Sequence, residues 1–227
     1  ESEQWAEALG KADDDGYVDV LGAIPTGIAL TFGANQQHSI YMSVDHADTD
    51  NLSFEEAWQM VQMIGDRQEC VIQNVNFELP VLYLASHGKH RNNCEWGFIP
   101  NIRDTKLEAS HVDENLPRGL KERSKLHLGY TQTTYDEVTL RTGLPVELPR
   151  GGRTVQQHED GTETRRYNMR ELPAKLVTSY GLDDTRCTGG LHNLYRLVME
   201  LEHTWDRAYL EVEIDAAYQH AVNFLTG

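Results

Sequence analysis

Three acidic segments and one tyrosine are the groups in this chain best suited to do chemistry. Asp19 lies in the apolar run Tyr17-Val-Asp-Val-Leu21, Glu78 ends Asn74-Val-Asn-Phe77-Glu78, and Asp184 ends Tyr180-Gly-Leu-Asp-Asp184 ahead of Thr188 and Leu191. Hard divalent cations such as Mg²⁺ and Mn²⁺ prefer oxygen ligands, and a few converging carboxylates are what metal-assisted hydrolysis requires. Tyr180 precedes Asp184 by one helical turn, so the two share a face and the phenol can hydrogen-bond beside any site that Asp184 joins. Each residue also has a plain structural role. Asp19 could be an edge-strand charge, although Asp is depleted in strands and this is the only charge between Gly16 and Gly33. Glu78 and Asp184 would both suit the N-terminal turn of a helix. Asn74 caps a turn or touches a ligand, and Phe77 serves the core or stacks on a base.

The pattern around these residues predicts the elements that must hold them. Residues 17–21, 26–32 and 39–44 read as three antiparallel strands. Ser53-Phe-Glu-Glu56 is a capping box for a helix over 54–65 whose apolar face covers the sheet. A strand over 69–72 delivers Asn74 at its C-terminal end. A helix from Phe77 to about His87 follows, with Pro80 in its first turn. A further strand spans 101–105, with helices near 105–112, 117–127 and 133–141. Arg153–His158 and Thr162–Tyr167 flank Asp160-Gly161, which signals a hairpin. Helices return at 168–179, 184–202 and 205–225. The expected fold is α/β, with a mixed central β-sheet flanked by helices.

A chain of 227 residues with 39% apolar composition suits one domain. No stretch of about 18 apolar residues and no basic leader ahead of an apolar run is present, so no membrane span is expected and the location should be cytoplasmic. Cys70, Cys94 and Cys187 are an odd number with no Cys-x-x-Cys pair, which argues against a disulfide framework and a zinc ribbon, and reduced thiols are expected. His87-Gly-Lys-His90 with Cys94 lacks a fourth zinc ligand at a sensible spacing. Asp13-Asp-Asp15 reads as a solvated loop, because no apolar strand precedes it. The net charge of −16 opposes a simple nucleic-acid groove reader. It suits a site where cations stand between carboxylates and phosphate. Residues 141–170 carry six arginines against four carboxylates, a basic island ahead of the tyrosine motif.

Taken in order, these segments resemble the proofreading 3'-5' exonuclease domain of family A DNA polymerases, the group of DNA polymerase I and many phage enzymes. The resemblance covers nearly the whole chain. It includes Thr26-Gly-Ile-Ala-Leu-Thr-Phe32, Ser39-Ile-Tyr-Met42, the helix from Ser53, Val71-Ile-Gln-Asn74 and Arg103-Asp-Thr105. Tyr209-Leu-Glu-Val-Glu213 through Phe224-Leu-Thr-Gly227 resembles the helix that leads into a polymerase domain.

The resemblance implies a ribonuclease H-like exonuclease fold over residues 1–227, with a β-hairpin insertion at about 144–168. It implies two divalent metal ions, Mg or Mn, with Asp19 bridging both, Asp184 completing one site, Glu78 contacting the other and Tyr180 orienting the attacking water. Asn74, Phe77, Arg153, Arg165 and Arg166 become candidate DNA-binding residues. The implied substrate is a single-stranded DNA 3' end, and the implied partner is a family A polymerase domain, in cis or as a separate chain. The implied setting is the cytoplasm of a bacterial or phage-infected cell. Two positions depart from the family. Leu21 stands where a glutamate is usual, and Glu78 replaces an aspartate. Asp183, Asp15 or Asp45 would be candidates to supply the missing ligand. The resemblance therefore carries two expectations: an exonuclease weakened by Leu21, or an inactive module of the same fold kept as a scaffold or single-stranded DNA binder.

Overall fold

A computed structural model describes residues 23–33, 36–47, 49–65, 68–87, 101–142 and 152–226. Strands β1 (Gly27–Phe32) and β2 (His38–Ser43) form an antiparallel pair in register from Gly27↔Ser43 to Phe32↔His38. Gly33 opens their connection at φ +97°, which a side chain would disfavour. Helix α1 (Phe54–Gly65) begins at the expected box: the Glu56 N–H donates to Ser53 Oγ at 3.2 Å and the Ser53 N–H donates back to Glu56 Oε2 at 2.9 Å. Its buried face carries Ala57, Trp58 and Val61.

Strand β3 (Cys70–Ile72) leads into helix α2 (Val75–His87). The helix starts two residues earlier than expected, so Pro80 falls inside it rather than in its first turn. Strand β4 (Ile102–Asp104) pairs parallel with β3, and α3 (Thr105–Val112) follows directly. A parallel pair requires a crossover, which α2 supplies. The largest core cluster joins Ile28 and Met42 with Ala57, Trp58 and Val61, Val75 and Leu79, and Ile102. Ala217 and Ala221 of the last helix, α7 (Ile214–Thr226), complete it. Burying side chains such as Leu79 contributes on the order of 1.5–3 kcal/mol each.

Helix α4 (Leu120–Arg123) runs on into a π-helical turn (Ser124–Leu128) that Gly129 ends in the left-handed conformation. A short helix α5 (Tyr135–Thr139) feeds β5 (Leu140–Thr142). The expected hairpin is formed by β6 (Arg153–Gln157) and β7 (Glu163–Arg166), with Gly161 at φ +83° in its turn. It is not a free hairpin, because β5 pairs with β7 to give the order β5-β7-β6.

Two helices expected at 168–179 and 184–202 are one: α6 runs unbroken from Ala174 to Leu201, behind a 3-10 turn at Met169–Glu171. Gly181 does not interrupt it. A π-helical segment (Trp205–Glu213) then leads into α7.

The protein is thus mixed α/β. Antiparallel and parallel pairs both occur, yet among the described residues the strands fall into three small separate sheets rather than one central sheet. The expected first strand at 17–21 lies outside the described residues, as do Asp13-Asp-Asp15 and the His90 and Cys94 of the weighed zinc cluster. Cys70 and Cys187 are free thiols, and burial pushes the pKa of each up. No described helix is long and apolar enough to cross a membrane.

Candidate active site

Glu78 is placed by the turn between β3 and α2. Asn74 sits there at φ +70°, a left-handed conformation that Asn tolerates better than most residues. The buried carboxylate of Asp104, at the end of the neighbouring strand, holds the turn. Its Oδ1 accepts the Asn74 N–H at 2.9 Å and its Oδ2 accepts the Val75 N–H at 2.8 Å. Oδ1 also accepts the Lys106 N–H at 2.8 Å, so one side chain caps α3 and starts α2. The Asp104 N–H donates to the Tyr209 hydroxyl at 2.7 Å, and that hydroxyl donates to buried Glu108 Oε1 at 2.8 Å. His192 Nδ1 of α6 meets the same Glu108 oxygen at 2.9 Å. Buried polar groups hydrogen-bonded in this way fix three elements around the turn.

Tyr180 and Asp184 are placed by α6, which lies across β1 and β2. The close approach needs Gly181: a Cβ there would stand 3.0 Å from Tyr41 Cε2 and 3.4 Å from Ala29 Cβ. Thr185 Oγ1 bonds Thr31 Oγ1 at 2.6 Å and Arg186 Nε donates to Ser39 Oγ at 3.2 Å, pinning the following turn. Tyr180 packs against the cluster of Val138, Tyr167, Leu172 and Val177, at the base of the three-stranded sheet.

Residues far apart in sequence thereby converge. Burial pushes Glu78 up to about 7, and the charges of Asp184 and then Asp104 push in the same direction. Part of Glu78 remains open to solvent although the protein closely surrounds its carboxyl. Burial likewise raises Asp184 to about 6. Lys121 opposes that rise, Asp183 adds to it, and hydrogen bonds from Gln132 and Tyr180 oppose it. A negative charge on Asp184 therefore opposes loss of the Glu78 proton. Tyr180 is pushed up to about 12 by burial and then by Asp184, so its phenol keeps its proton and donates to the carboxylate.

The opposite wall was not legible in the sequence. Gly129, at φ +65°, turns the chain back past α6. Gln132 Nε2 then donates to Asp184 Oδ1 at 2.7 Å, and the Tyr130 hydroxyl donates to Asp183 Oδ2 at 3.0 Å. The Gln132 side chain is buried, and its Oε1 has no hydrogen-bond partner. Lys121 Nζ lies 4.0 Å from Asp184 Oδ1 and 4.4 Å from the centre of the Tyr180 ring, and it donates to the Thr133 carbonyl. Gly129 was the one local signal, as a helix terminator. Nothing in the spacing shows which side chains beyond it face Asp184.

The remaining expected residues are distributed differently. Asn74 accepts from Lys106 Nζ through Oδ1 at 3.1 Å, and Phe77 is half-buried. Arg153 is exposed on β6. Arg165 is paired with Glu163 at 2.9 Å and Arg166 with Asp136 at 2.5 Å, so both already hold carboxylates. Asp45 is paired with Arg170, and Asp183 meets Tyr130 and lies 3.9 Å from Arg186. Asp19, Leu21 and Asp15 lie outside the described residues.

Glu78 and Asp184 fit a hard divalent cation in donor type: both offer carboxylate oxygens in partly buried positions, and the Asp184 charge opposes ionisation of Glu78. Among the described residues no group of three His, Cys, Asp or Glu side chains is arranged to hold a metal. No protein-family model matches the chain, and no curated protein matches it.

Proposed function

We propose that this chain is a 3'-5' exonuclease module of the kind associated with family A DNA polymerases, with a ribonuclease H-like fold. It would remove nucleotides from a single-stranded DNA 3' end. The observation that carries this reading is the convergence of Glu78 with Asp184, where the charge of Asp184 raises Glu78 and Tyr180 hydrogen-bonds Asp184. Residues that the sequence singled out from two distant motifs share one electrostatic site, and buried carboxylates shifted by a neighbouring charge are the kind of groups that active sites gather.

Glu78, Asp184 and Asp19 would hold the divalent ions. Bound there, such ions activate water and offset charge on a phosphodiester. The chain's own contribution is positional. Asp104 and the hydrogen bonds behind it set the Glu78 turn, and Gly181 sets the depth of α6. Tyr180 offers a phenol that remains protonated at neutral pH, suited to orient a water by hydrogen bonding. The exposed Arg153 is the hairpin arginine left to meet a strand's phosphates, since Arg165 and Arg166 are engaged with carboxylates. A polymerase domain, in cis or on another chain, would supply the 3' end. The reading places the work in the cytoplasm of a bacterial or phage-infected cell.

Leu21 favours a second reading, an exonuclease-fold module without activity that serves as a scaffold or single-stranded DNA binder. Incubating a 5'-labelled single-stranded oligonucleotide with Mg²⁺ or Mn²⁺, with an EDTA control, separates the two. The exonuclease gives a metal-dependent ladder shortening from the 3' end. Intact oligonucleotide that still binds the protein supports the scaffold.

A further inference from the structure

Lys121 stands where a cation is most wanted. Its ammonium lies 4.0 Å from Asp184 Oδ1 and 4.4 Å from the face of Tyr180, two of the proposed site residues. Its direct hydrogen bond is to the carbonyl of Thr133, one residue after Gln132, whose amide bonds the same Asp184 oxygen. The chain therefore brings a positive charge and an amide donor to one oxygen of Asp184. Lys121 and Asp184 are both about one-third exposed, so the pair is neither sealed nor tightly closed. A lysine held by a carbonyl, a ring face and a 4.0 Å ion pair can swing on its four-carbon stem without breaking a short charge pair.

We propose that Lys121 is the resident counter-cation of this acidic site, competing with divalent ions for Asp184 until an entering strand draws its ammonium to a phosphate oxygen. This deepens the exonuclease reading and rests on it. Lys121 then has two opposed effects. It weakens metal binding in the free protein, because its positive charge stands close to a ligand oxygen. It strengthens binding of the strand, because an ammonium near the cut site pairs with phosphate. Gln132 holds Asp184 in place throughout, and its buried, unpartnered Oε1 is free to accept from a ligand or water entering beside Asp184.

The test uses Mn²⁺ alone, followed by electron paramagnetic resonance, and then steady-state degradation of a single-stranded oligothymidylate. Lys121→Met should bind Mn²⁺ about five- to tenfold more tightly without DNA, as expected for removing one positive charge at a partly solvated site. The same variant should raise KM for the oligonucleotide about tenfold with a smaller change in kcat. Lys121→Arg, which keeps the charge, should restore both values. A misfolded or merely loosened site would not bind metal more tightly. If wild-type protein is active and Lys121→Met binds Mn²⁺ no better, or its KM is unchanged, the inference fails and the exonuclease reading stands. If wild-type protein neither binds Mn²⁺ nor shortens the strand, the exonuclease reading fails and takes this inference with it.

Discussion

Glu78 on α2 and Asp184 on α6 share one electrostatic site: the charge of Asp184, together with burial, raises Glu78 to about 7. Each helix delivers its carboxylate for a separate local reason. Asp104 fixes the start of α2, and Gly181 lets α6 settle against Tyr41.

The raised Glu78 has a consequence for stability. Its ordinary value is 4.5 and its folded value about 7, so between those pH values the folded state holds a proton that the unfolded state has released. This group's contribution to stability is therefore lost as pH rises through that window. Glu78→Gln should melt like wild type near pH 4 and be more stable at pH 8, by on the order of 1–3 kcal/mol. Thermal melts at both pH values, in EDTA, check this. A variant less stable than wild type at pH 8 would contradict it.

Asp104 satisfies three backbone N–H groups across two helix starts. Asp104→Ala should cost about 2–4 kcal/mol in urea unfolding, since buried donors lose their acceptors. Asp104→Asn should also destabilise, because its amide turns a donor towards one of those N–H groups. A cost below about 1 kcal/mol for both would show that the turn is held by something else.

Gly181→Ala should lower both stability and nuclease activity. The added methyl meets the Tyr41 ring at 3.0 Å, so α6 or Tyr41 must shift, carrying Tyr180 and Asp184 with it. The expected stability loss is about 1–3 kcal/mol. Activity falling further than the unfolded fraction explains would support the positional account, and unchanged activity would oppose it.

Tyr180→Phe keeps the ring on which Lys121 lies but removes the hydroxyl that bonds Asp184. The variant should fold normally, keep its KM for a single-stranded oligonucleotide and lose on the order of 10²-fold in kcat. A fall confined to KM would assign the tyrosine to strand binding instead.

Much of the local structure could be read from sequence because it is set by local rules. The Ser53 box, the Asp160-Gly161 turn, the short strand at Ile102 and the i, i+4 relation of Tyr180 and Asp184 all depend on near neighbours, whereas the parallel pairing of that strand with β3 does not. Where prediction failed, distant partners decided. The gap expected between helices at 179 and 184 is helical, and Gly181 within it lets the helix pack closely against Tyr41. The start of α2 moved because Asp104, on another strand, caps Val75. Lys121 and Gln132 carry no motif at all: Lys121 reaches Asp184 from the helix before Gly129, and Gln132 from the chain that turns back after it. Arg165 and Arg166, expected to meet DNA, hold carboxylates instead: Arg166 takes Asp136 from outside the hairpin, and Arg165 takes Glu163 two residues before it on the same strand.

The central claim is that Glu78 and Asp184 hold a cation on which strand cleavage depends. An anomalous-difference map from a crystal soaked in Mn²⁺ and a deoxynucleoside 5'-monophosphate tests it most directly. A peak in contact with the carboxylates of Glu78 and Asp184, with phosphate oxygens beside it, is the predicted result. Mn²⁺ bound elsewhere, or absent from these carboxylates in protein that degrades DNA in a metal-dependent way, would contradict it.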